Sequence, residues 1–181
     1  RKEIDFQKAD AQADLDDGLW NYRLVNELDS SSTVNNAYLC YLAAQCKSNE
    51  QCFLSGSLTV RSLIEQRGDV HHVFPKDYLA KNGFKKSEYN QVANYVYTEQ
   101  AINIKLGNAS PKVYMEKIQN DIKLDKNEIT SLKSIEGLDL NLQTHCIPSN
   151  LNQLDADQYT EFLNERRKLM AQKIKEFYKG L

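Results

Sequence analysis

None of the four cysteines, Cys40, Cys46, Cys52 and Cys146, has a partner in CxxC spacing, which argues against a zinc site built from paired cysteines. No apolar run approaches the roughly 18 residues of a membrane span, and the N-terminus lacks the basic-then-apolar layout of a signal peptide. Neither sign of charge is in surplus: 23 basic and 25 acidic residues leave a net charge of -2. Bulk charge therefore does not announce a nucleic-acid binder, and any basic surface must be local. There is no GxxxxGK(S/T) phosphate loop, no low-complexity segment and no internal repeat. With no export signal, a reducing cytoplasm is expected, and Cys40, inside the apolar AYLCYLAA, reads as a buried free thiol. The chain starts at Arg1 in a polar stretch without a methionine, and reads as a piece of a longer protein.

What is present is ordinary for a globular chain: 41% hydrophobic and 27% charged over 181 residues, enough for one good core or two small ones. Three zones are expected. Residues 1–50 read as helical: LWNYRLVNEL spaces its apolar residues on helical offsets, and SSSTVNN offers Ser and Thr caps for AYLCYLAAQCK. Residues 51–118 change character, holding four of the seven glycines and two of the three prolines. There GDVHHV reads as a strand running into a loop, ANYVYT as a second strand, and EQAINIKL as a short helix ended by Gly107. Residues 119–181 are helical again, with Asp157 as cap of a long final helix. Its Arg166, Arg167, Lys168, Lys173 and Lys175 read mostly as a solvated face, with a DNA-facing surface as the lesser alternative.

Only three histidines occur, and two are adjacent, in GDVHHVFPKDYL (68–79). Neighbours on a strand point to opposite faces, so His71 and His72 need share no task. Their surroundings suggest otherwise. Asp69 shares a face with His71, and Asn94 and Asn103 follow nine residues apart, one before the second strand and one in the helix. Phosphodiester hydrolysis needs a base to activate water, a divalent cation to neutralise charge and a group to orient the base. Histidine titrates near working pH, and oxygen ligands with a single imidazole suit magnesium or manganese. Lys76, Lys81, Lys85 and Lys86 cluster in the loop between the strands, as solvated residues or as phosphate contacts. His145, in QTHCIPSN, reads as structural or surface.

Residues 69–111 resemble the ββα-metal (HNH) nuclease motif. DVHHVFP is similar to its first strand, and VANYVYTEQAINIKLGNASP to its second half. The resemblance implies that His72 is the general base, that His71 precedes it as metal ligand, that Asn103 is the helix-borne ligand, and that Asn94 orients the base histidine through its backbone or side chain. It leaves Asp69 as ligand or ligand support. The zinc-binding cysteine pairs that brace many HNH domains are missing here, so the helical flanks must hold the hairpin.

QCFLSG, HHVFPKDYL and the tail from THCIPSN to the C-terminus further resemble the C-terminal nuclease half of modification-dependent (type IV) restriction enzymes, whose N-terminal half is a ParB-like nucleotide-binding domain. This implies a bacterial or archaeal, cytoplasmic phage-defence protein. Its DNA endonuclease would use one Mg2+ or Mn2+, with DNA and the absent nucleotide-binding domain as partners. A catalytically inactive DNA-binding or subunit-docking module is the alternative. The expected fold is α+β and mostly helical, a single nuclease domain over 1–181 with a small hairpin-plus-helix core between helical flanks.

Overall fold

A computed structural model describes residues 17–181. The expected helical character of residues 1–16 lies outside the described residues. The fold is α+β and mostly helical, with one two-stranded antiparallel sheet among the described residues. A π-helical turn, Leu19–Arg23, runs into α1 (Leu24–Glu27). Then come α2 (Asn36–Lys47) and α3 (Val60–Glu65). Strand β1 (Val70–His72) is followed by α4 (Lys76–Lys81) and α5 (Lys86–Tyr89), and β2 (Tyr95–Tyr97) leads into α6 (Gln100–Leu106). The chain finishes with α7 (Pro111–Lys123), α8 (Ile135–Thr144) and α9 (Tyr159–Lys179).

One hydrophobic cluster draws on every zone, from Trp20 and Tyr38 through Phe53, Phe74 and Tyr114 to Phe162 and Ile174. The 21-residue α9 crosses it, lying against α1, α2 and the short turn before β2. Tyr159, Phe162, Leu163, Met170 and Ile174 recur at helical spacing on its inner side and are buried. No helix of the described residues is long and apolar enough to cross a membrane.

Four local expectations are corrected. The cap of α2 is Asn35, whose Oδ1 accepts from Tyr38 N at 3.0 Å, in place of a serine or threonine. It sits at the residue just before the first helical turn, where a short side chain reaches the third backbone N–H. Cys40 is exposed: it stands two positions, about 200° at 100° per residue, beyond the buried Tyr38. The final helix is not capped by Asp157. Asp155 caps a 3-10 turn, Ala156–Gln158, and that turn feeds the helix.

The fourth correction is the largest. Arg166 and Arg167 are buried, at 0% and 8% exposure. Arg166 lies four residues after Phe162 and four before Met170, so helical geometry puts it on the inner face. Its guanidinium donates to the carbonyls of Ala93 (2.9 Å) and His145 (3.2 and 3.3 Å). Arg167 pairs with Asp29 at 2.6 Å and donates to Gln91 Oε1 at 3.1 Å. Both arginines therefore brace the turn that delivers Asn94. Through them α9 helps to hold the hairpin.

Candidate active site

The two strands pair in antiparallel register, with His71 opposite Val96 and His72 opposite Tyr95. The chain leaving β1 is clamped on every side. Val73 N donates to Asn94 O at 2.8 Å, and the buried Tyr114 hydroxyl donates to Val73 O at 3.0 Å. The Asn94 amide accepts from Phe74 N (2.8 Å) and donates to Phe74 O and Tyr89 O (3.1 Å each). With no exposure at Val73, Phe74 or Asn94, these bonds form away from water, where leaving them unmade is costly. The apolar pair after the histidines thus anchors the strand end, and Pro75 starts α4 as its N-cap.

His72 remains half-buried at the rim of this anchor. Its ring meets Tyr95 edge-on at 5.2 Å and Tyr89 at 6.4 Å. Nε2 lies 3.0 Å from Asn90 Oδ1. An amide oxygen only accepts, so Nε2 carries the hydrogen and the lone pair lies on Nδ1. Burial pushes the His72 pKa below 6.5, opposed by the Asn90 hydrogen bond and reinforced by the charge of Lys76 and by His71. Burial likewise lowers His71, opposed by the carboxylate of Asp69. Both imidazoles are therefore neutral at neutral pH, the form required of a base and of a metal ligand.

The resemblance implies that Asn94 orients His72 through its backbone or side chain. Its carbonyl accepts from Val73 N and its amide bonds the backbone of Phe74, one and two residues beyond His72, while the side chain hydrogen-bonded to the ring is Asn90. Nothing in the motif spacing singles out Asn90. Only its place on the same return segment, four residues before Asn94, hints at it.

Asp69 is exposed next to β1, close enough for its charge to act on His71. Asn103 is half-buried in α6, which starts three residues after β2 and ends at Gly107, where φ is +58° and glycine is favoured. Among the described residues no hydrogen bond ties the Asn103 amide to Asp69 or the histidines, and no three His, Cys, Asp or Glu side chains converge as a metal cage. Asp69, His71 and Asn103 would supply one carboxylate, one imidazole and one amide oxygen. That mixed set fits a hard cation that keeps several waters.

The four lysines do not sit in an irregular loop. Lys76 and Lys81 begin and end α4, Lys85 caps α5 and Lys86 begins it. All four are exposed, and the segment between the strands holds only two carboxylates, Asp77 and Glu88. A local basic surplus therefore lies between the histidine strand and Asn94, in a chain whose net charge is -2.

His145 is buried and structural. Its Nε2 donates to Gln51 O at 2.9 Å, and Nδ1 lies 3.3 Å from the Gln45 amide. No protein-family model matches this chain, and no curated protein or solved structure matches it either.

Proposed function

We propose that this chain is a divalent-metal-dependent DNA endonuclease of the HNH type, acting in restriction of modified or foreign DNA. One observation carries the reading. A two-stranded hairpin followed by a helix presents a neutral, half-exposed histidine whose strand end is clamped by a buried asparagine from the second strand's entry. Such rigidity suits a base that must meet an attacking water at one angle.

In this reading His72 takes the proton from water at Nδ1, while Asn90 holds the opposite nitrogen and so fixes the tautomer. Asn94 does not touch the reacting atoms. It fixes the backbone on which His72 stands. Asp69, His71 and Asn103 would hold Mg2+ or Mn2+, which when bound supplies neutralisation of the scissile phosphate and the leaving oxygen. Lys76, Lys81, Lys85 and Lys86 contact flanking phosphates, which positions the duplex without reading its bases. Selection of modified DNA then belongs to the nucleotide-binding partner domain.

The test is nicking of supercoiled plasmid by the purified chain in manganese, with and without chelator. Manganese-dependent nicking supports the proposal. A chain that retards DNA on a gel at protein excess but never nicks it is a binding module, and the nuclease reading fails.

A further inference from the structure

A histidine that acts as a base needs a fixed ring plane, and its own torsion does not supply one. The χ2 torsion of an imidazole is broad and roughly two-fold, so the plane is set by what the ring touches. Among the described residues one hydrogen bond reaches the His72 ring, between Nε2 and Asn90 Oδ1 at 3.0 Å. Such a bond holds one atom and leaves the ring free to swing about it. The remaining constraint has to come from packing.

Cross-strand pairing supplies it. His72 stands directly opposite Tyr95 in the antiparallel register, and directly opposed residues carry their side chains on one face of the sheet. The two rings meet at 5.2 Å between centroids with their planes 87° apart, the edge-to-face arrangement that aromatic pairs favour. Tyr95 is itself held. It is 8% exposed, its ring lies edge-on to the buried Tyr38 at 6.4 Å, and its hydroxyl donates to Ser31 O at 3.4 Å. Tyr38 stacks in turn on Tyr41, one turn further along α2. A row of buried rings therefore runs from α2 through Tyr95 to the histidine. Tyr89 is the weaker neighbour. It is half-buried, ends the four-residue α5, and its ring stands 6.4 Å from that of His72.

We propose that Tyr95 is a positioning residue of the site: its ring, seated on Tyr38, sets the plane of the His72 imidazole, while Asn90 selects the nitrogen that stays open. Tyr95 acts only through His72. The N-terminal helix α2 thereby becomes part of the site rather than a flank. The effect of this placement on catalysis rests on the nuclease reading, but the placement itself does not.

The experiment reads both. The chain has three histidines, so labelling histidine with 13C and 15N gives three ring signals, and that of His72 is the one lost in His72→Ala. Order parameters of its ring C–H bonds should be near the ~0.85 of rigid structure in the wild type and in Tyr95→Phe, and fall below ~0.6 in Tyr95→Leu. In single-turnover plasmid nicking with manganese, Tyr95→Leu should lower the maximal rate about 10–100-fold at an unchanged half-saturating concentration, and Tyr95→Phe should restore it to within about twofold of wild type. Circular dichroism checks that Tyr95→Leu is folded, and Tyr95→Met takes its place if it is not. A His72 ring as rigid in the folded variant as in the wild type overturns the proposal, and so does nicking at the wild-type rate. If the wild type itself never nicks, the nuclease reading has failed, and the order parameters alone decide whether Tyr95 holds the ring.

Discussion

Asn94→Ala is the most informative single change to the scaffold. The amide makes three hydrogen bonds, to Phe74 N, Phe74 O and Tyr89 O. Tyr89 O keeps another donor, Gln91 N at 3.1 Å, but among the described residues no other bond serves the amide and carbonyl of the fully buried Phe74. Each orphaned buried group costs about 1–3 kcal/mol, and the third bond contributes about 1 kcal/mol net. The variant should therefore lose roughly 3–7 kcal/mol, a large part of the ~5–15 kcal/mol of an ordinary domain. Urea denaturation followed by circular dichroism measures it as a shift in midpoint at constant slope. Asn90→Ala is the control, because it removes one bond to a half-buried ring and should cost about 1 kcal/mol. If Asn94→Ala costs no more than Asn90→Ala, Asn94 is not the clamp of this hairpin.

Other expectations follow from the same geometry. Burial lowers the His145 pKa from 6.5 to about 3, so between these values the unfolded state takes up a proton that the folded state excludes. Stability from this group is complete above pH 6.5 and falls as pH drops toward 3, by about 1.4 kcal/mol per unit. His145→Gln should be less stable at pH 7 but show a flatter decline across that window in the same urea assay, and an unchanged slope would refute it. Asn103→Ala should weaken manganese binding by calorimetry and regain part of its nicking at high manganese; unchanged metal affinity removes Asn103 from the ligand set. Lys85→Ala with Lys86→Ala should reduce the slope of log K against log salt by about 0.9 for each phosphate these lysines neutralise, and an unchanged slope assigns them to solvent.

The hairpin and α6 are legible in the sequence because each carries a local signature. Two short β-branched or aromatic runs flank a proline-marked segment, and Gly107 ends a breaker-free stretch. The helices α4 and α5 are not legible, since six and four residues give too few turns to show a period. Arg166 reads as solvated because its charge outweighs its position between Phe162 and Met170. Its partners, the carbonyls of Ala93 and His145, come from turns 73 and 21 residues away in sequence, and no pattern in α9 encodes them. Cys40 misleads for the opposite reason, an apolar neighbourhood that hides its angle on the helix. In the site, the resemblance points to His71, His72, Asn94 and Asn103 and leaves open whether Asn94 acts through backbone or side chain, but it gives no sign of the Asn90 contact with the ring.

We propose His72 as the base of a metal-dependent nuclease, and single-turnover nicking of plasmid by His72→Ala in manganese is the decisive assay. A general base contributes ~10²–10⁴ in rate. The variant should therefore lose a factor of that order while circular dichroism and DNA affinity stay at wild-type values. A folded His72→Ala protein that nicks at the wild-type rate would remove His72 from the reaction.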